Sequence, residues 1–263
     1  MSWTMTRALI WKEWRESRLK FLALLGAFHL PLIGFIRAAH FLKQPNHDLL
    51  AFKLAEQHNL YATLFYQSGF AITVGLFLLA FFGASAFAWD YEGNRVFFVC
   101  ERPVSRGWFL SVKWTVYAIE ALVSVCVSLF TTQLFVYFFY NADGSPLLAV
   151  SAQELTGVLQ ASVRGAVWLA ALGLSAFAWS FFFGASLQKW WTALVAGGAV
   201  VGLFLALMYF KIYGWMLLRF THESPVSVDK YAELQTLPLV LLLAAAVMAF
   251  LAAQWVFGRK EIS

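Results

Sequence analysis

Glu120 and His29 are ionisable side chains set in stretches otherwise apolar enough to enter a bilayer. Charge in hydrocarbon is costly, so each is a candidate for lining a path or closing a gate. Glu120 follows Lys113 by two helical turns, about 10 Å of rise, within range of that cation or of interfacial water. His29 precedes Pro31, a residue that kinks or ends helices, and can face a cavity at the bend. A second concentration of chemistry is the island 90–113. There Asp90, Glu92 and Glu101 alternate with Arg95, Arg102, Arg106 and Lys113 around the apolar run from Val96 to Cys100. Such a mixture suits a segment that grips another surface: apolar residues supply contact area and charges fix register.

No catalytic constellation accompanies these residues. G-x-x-x-x-G-K-[ST], H-E-x-x-H, G-x-S-x-G and G-x-G-x-x-G are all absent, so no usual backbone nest for a nucleotide and no hydrolytic triad or zinc helix is predicted. His40, His47, Asp48, Glu56 and His58 cluster, but without the i, i+4 pairing or cysteine partner of a zinc site. Cys100 falls in the charged island and Cys126 inside an apolar stretch, too different in depth for a disulfide. The expectation is a chain with no metal, no bound cofactor and no catalysis of its own.

The elements that position these groups follow from composition. Hydrophobic residues make up 61% of the 263 and charged ones 13%, with mean hydropathy +0.70, a balance that excludes an ordinary soluble domain and predicts an all-α integral membrane protein. A span needs about 20 apolar residues, and six stretches qualify: 21–38, 67–89, 114–140, 158–187, 191–213 and 237–257. One transmembrane domain over 1–263 then leaves no room for a soluble enzyme. Arg37 and the long basic stretch before residue 21 argue that the first span is retained, not cleaved.

Lys and Arg give the orientation. Segments 1–20, 90–113, 187–190 and 259–263 hold 12 of the 19 basic residues, although the opposite-side segments are longer. Both termini and the 90–113 connector are therefore predicted cytoplasmic, with 39–66, 141–157 and 214–236 as external connectors. The net charge of +5 reads as this bias plus attraction to anionic lipid, and implies no nucleic-acid partner.

Helix faces add detail. Trp3, Ile10, Trp14 and Phe21 recur on one side of a helix, with Lys12, Glu13, Arg15, Glu16 and Lys20 over the remainder. This predicts an amphipathic elbow helix over 1–20, lying in the membrane interface. Gly198 and Gly202 form a G-x-x-x-G face in the fifth span, open to a helix of this chain or of a second copy. Gly83, Ala84, Ala86 and Ala88, and Gly165, Gly173 and Ala176, are similar small-residue faces.

The island resembles a known family. Its Gly93, Pro103, Val104, Ser105, Arg106, Leu110 and Lys113 match the cytoplasmic loop of ABC-2 type permeases, with Asn94 where Thr is usual and Val112 where Gly is common. The layout matches along the whole chain, from the basic elbow to the charged tail Gly258 to Ser263. The resemblance implies a type V exporter fold, in which two six-helix domains pair with two separate ATP-binding subunits. Loop 90–113 would be the coupling helix, with Glu92, Gly93, Arg95, Phe97, Glu101, Arg102, Pro103, Ser105, Arg106 and Lys113 contacting the ATPase. The resemblance also implies a dimer seam on the first and fifth spans, ATP and Mg bound only by the partner, and a bacterial inner membrane. An ATP-independent carrier, which would show inverted repeats, and a lipid-modifying enzyme drawing on Glu120, His29 and Gln133 are the alternative readings.

Overall fold

The computed structural model describes residues 3–30, 33, 74–92, 105–139, 152–187, 189, 191–203, 206 and 236–259. They form α1 (Trp3–Phe28), α2 (Leu76–Glu92), α3 (Arg106–Phe139), α4 (Ala152–Leu187), α5 (Trp191–Leu203) and α6 (Thr236–Arg259). Helices are expected of so apolar a chain, because each satisfies its own backbone groups where no water can. Three are long and apolar enough to cross a membrane: Arg106–Thr132, Ala166–Leu187 and Leu239–Arg259. The helices Leu76–Phe87 and Trp191–Leu203 are apolar but shorter. Residues 67–73, 204, 205 and 207–213 of the predicted second and fifth spans, most of the first beyond α1, and all three predicted external connectors except the starts of α4 and α6 lie outside the described residues.

Contacts between helices define their directions. Glu13 and Ser17 of α1 meet Lys113 and Glu120 of α3 in the same order, so α1 and α3 run parallel. Lys20 of α1 meets Ser85 of α2, while Lys113 meets Asp90, which sets α2 against both. The α4 residues Gly173 and Phe177 pack on Leu79 and Gly83 of α2, so those two share a direction. On α6, Phe250 stacks on Trp114 and Phe257 on Phe109, antiparallel to α3. On α5, Gly197 abuts Ser180 and Val201 packs with Leu172 and Ala176. Thus α1, α3 and α5 start, and α2, α4 and α6 finish, at one end of the bundle. The four segments whose basic residues set the predicted orientation all adjoin that end.

The seam between α2 and α4 is built on glycine. A β-carbon at Gly83 would lie 2.5 Å from the Phe177 carbonyl oxygen, and one at Gly184 would lie 2.9 Å from that of Ala84. Without side chains there the backbones approach closely, where dispersion contacts replace a hydrophobic drive that lipid does not supply. Of the small-residue faces of the second and fourth predicted spans, Gly83, Ala84, Ala86, Gly173 and Ala176 therefore serve packing within the chain.

α1 departs from the expected elbow. It is continuous from Trp3 to Phe28, with no break near residue 20, since no Gly or Pro interrupts the sequence before Gly26. Its exposed side carries Trp3, Ile10, Trp11 and Trp14, and its buried side Glu13, Ser17, Leu24 and Phe28. The aromatic face is thus outward, as expected, but the polar remainder is not a solvated flank: part of it is the packing face.

Candidate functional site

At the end where α1 and α3 start, a buried ionic layer joins three helices. Its centre is Lys113, 1% exposed on the second turn of α3. Lys113 Nζ donates to Glu13 Oε2 of α1 at 2.8 Å and lies 2.6 Å from Asp90 Oδ2 of α2, in ion-pair contact but not aligned as a hydrogen bond. Phe87, Phe109 and Tyr117 each place a ring 5.5 Å from the ammonium, their faces adding cation–π attraction. Lys12 approaches Glu13 Oε1 at 2.9 Å and Glu16 Oε2 at 3.2 Å, closing the layer toward the outside.

Burial and the neighbouring charges together set the titration of Glu13 and Lys20. Burial works against the charged form of Glu13, but Lys113 and then Lys12 outweigh it and hold the carboxyl below its ordinary value of 4.5. Lys20, half-buried and donating to Ser85 O at 3.0 Å, is pushed down to about 8 by burial and then by the like charge of Lys113, against the pull of Asp90, Glu16 and Glu13.

The layer sits on aromatic packing. Phe87 contacts Phe181 of α4 at 5.0 Å, Phe257 of α6 at 5.4 Å and Phe109 at 6.5 Å. Gln254 of α6 donates to Ser111 of α3 at 2.6 Å. All these groups are at the bundle end from which residues 93–104 depart and to which they return.

Sequence-predicted residues fall variously on this frame. Ser105 is exposed and caps α3, its Oγ accepting from Trp108 N at 3.3 Å. Arg106 is half-buried on the first turn of α3. Glu92 ends α2, whereas Gly93, Arg95, Phe97, Glu101, Arg102 and Pro103 lie outside the described residues, as do His40, His47, Asp48, Glu56, His58 and Cys100. Among the described residues no three His, Cys, Asp or Glu side chains gather as a metal would require. Lys113 does not pair with Glu120: Glu13 and Asp90 take its charge, and Glu120 is instead in hydrogen-bond contact with Ser17 Oγ. His29 turns its Nδ1 to Leu25 O at 2.7 Å, a local contact at the end of α1. A β-carbon at Gly202 would meet nothing within 4 Å, and one at Gly198 only Phe77 at 3.8 Å; Gly197, between them and the start of α5, carries the close contact to Ser180.

Sequence reasoning missed Glu13, Ser17 and Lys20 as a functional group. Their signal is present: with Leu24 they recur at intervals of four, three and four, a single helix stripe. The more conspicuous tryptophans on the other side masked it. Comparison of the chain with protein-family models, with curated proteins and with solved structures finds no match.

Proposed function

We propose that this chain is the permease subunit of an ATP-driven ABC exporter of the ABC-2 type, embedded in a bacterial inner membrane with both termini cytoplasmic. Two copies form the translocation path between them. Two separate ATP-binding subunits dock on loop 90–113 and supply ATP, Mg and hydrolysis, and the permease itself has no catalytic residue.

The observation that carries the reading is how the loop is rooted. Asp90 stands before it and Lys113 after it, and these two side chains are in ion-pair contact at 2.6 Å, with Glu13 of α1 on the same ammonium at 2.8 Å. A force applied to the loop reaches α1, α2 and α3 together through one buried charge cluster, whose members cannot part without leaving a bare charge in an apolar setting. That is the mechanical property a coupling element needs: motor closure displaces a packed unit between two arrangements. Lys113 acts here as an anchor of the loop, while Phe97, Arg102 and Arg106 would meet the ATPase. The open face of Gly198 and Gly202 supports a seam with the second copy, because such faces let backbones approach.

Phe97→Ala combined with Arg106→Glu should abolish co-purification of an ATP-binding subunit while leaving the chain inserted and helical. Undiminished recovery of that subunit would remove the loop from the interface and with it the exporter reading.

A further inference from the structure

We propose that Glu120 is a proton-binding site: its carboxyl is neutral in this structure, donating from Oε1 to Ser17 Oγ, and release of the proton loosens the seam between α1 and α3. The inference stands whether or not the chain is a transporter subunit.

Hydrogen-bond bookkeeping leads to it. Glu120 is 2% exposed and Ser17 fully buried. Ser17 Oγ is in contact with both Glu120 Oε1 and the Trp14 carbonyl oxygen, the latter at 3.3 Å. A hydroxyl carries one proton and cannot donate to both. With Glu120 ionised, Ser17 donates to Oε1 and its contact with Trp14 O carries no hydrogen bond. With Glu120 protonated, Oε1–H donates to Ser17 and Ser17 donates to Trp14 O, so both contacts are bonds. The other oxygen, Oε2, is buried without a hydrogen-bond partner. An ionised carboxylate spreads charge over both oxygens and would leave half of it unsolvated, whereas the carbonyl of a neutral acid tolerates that position at much lower cost.

The surrounding groups are consistent with this proton. On α1, Glu13 adds a like charge and Lys20 an opposite one, but the Lys20 ammonium is directed to Ser85 O of α2 at 3.0 Å. On α2, Asp90 is held by Lys113. On α3, Lys113 is engaged by Glu13 and Asp90, and Tyr117 lies under Lys113 and Lys20. Beyond Glu120 the same face of α3 carries buried Ser124, Ser128 and Thr132, whose hydroxyls donate to α3 carbonyls at 2.7–3.0 Å. Those donors are spent on the backbone. On release the proton passes to water, Ser17 swings its own proton from Trp14 O to Glu120 Oε1, and a carboxylate whose Oε2 has no hydrogen-bond partner remains between α1 and α3.

Infrared difference spectroscopy of the full chain in lipid nanodiscs tests this. At neutral pH we expect a protonated-carboxyl C=O band that shifts in heavy water, fades as pH is raised, and is lost in Glu120→Gln. Ser17→Ala, which keeps the acid but removes its acceptor, should move the band to higher wavenumber without removing it. Nitroxides placed at exposed Leu19 and Ile119 should give a distance distribution that broadens at alkaline pH in the native background and does not in Glu120→Gln. Absence of the band at neutral pH, its full retention in Glu120→Gln, or an unmoved band in Ser17→Ala would overturn the assignment. A distance distribution indifferent to pH would overturn the loosening of the seam.

Discussion

Replacing Lys113 by methionine keeps most of the side chain's volume and removes its charge, leaving Glu13 and Asp90 facing each other. The two carboxylates lie 2.8 and 2.6 Å from the ammonium, with side chains 0% and 7% exposed. At an effective dielectric of 20 each contact is worth about 6 kcal/mol of Coulomb energy. Most of that is cancelled by the desolvation of three charges, and the quantity a mutation reads is the cost of leaving partners unpaired, about 3–5 kcal/mol. Lys113→Met should therefore lower the free energy of unfolding by about that much, measured by titrating the protein from mild detergent into a denaturing one and following tryptophan fluorescence. Adding Glu13→Gln and Asp90→Asn removes the two like charges, of which Asp90 is orphaned and Glu13 keeps only the half-exposed Lys12, so the triple variant should return to within about 1–2 kcal/mol of the native protein, as buried ion pairs replaced by neutral groups generally do. The non-additivity separates this account from simple loss of packing. A cost under about 1 kcal/mol for Lys113→Met, or a triple variant no better than the single, would refute the view of Lys113 as a buried electrostatic anchor.

Acid should attack the same layer. The folded-state value of Glu13 is depressed, so its stabilisation is complete above the ordinary carboxyl value of 4.5 and is lost as pH falls through the lower folded value; acid unfolding followed by circular dichroism should shift in Glu13→Gln, and an unchanged acid limb would contradict the pairing. Gly83→Leu should prevent stable folding, because even its first carbon lies 2.5 Å from the Phe177 carbonyl oxygen, whereas a β-carbon at Gly202 meets nothing within 4 Å and Gly202→Leu should leave the melting temperature of the monomer unchanged. Equal effects of these two substitutions would show that the α2–α4 seam is not backbone-limited. Gly198→Leu should reduce dimer recovery in mild detergent without unfolding the chain, and an intact dimer would move the seam elsewhere.

Much of this arrangement is legible in the residues, and for identifiable reasons. Helical class and the common end of the basic segments follow from hydropathy and charge, which act on every residue alike. The seams at Gly83 and Gly173 were visible as small-residue faces, but their partners were not, since a glycine says only that something comes close. The pattern of α1 is the least legible: charged residues at 13 and 20 read as a polar flank because in water such residues are solvated, whereas here Glu13 finds an ammonium on a helix one hundred residues away. Spacing along its own helix points Lys113 to Glu120, whereas its charge is satisfied from two other helices. Long-range ion pairs leave no periodicity for a single sequence to display.

Photo-crosslinking from position 97 in native membranes tests the central claim most directly, since it asks what the loop rooted by Asp90 and Lys113 touches. The account predicts a covalent adduct with an ATP-binding subunit bearing a phosphate-loop sequence, formed from the cytoplasmic side and diminished by Arg106→Glu. Adducts with lipid alone while that subunit is present, or reaction of position 97 with an impermeant reagent added from outside, would contradict it.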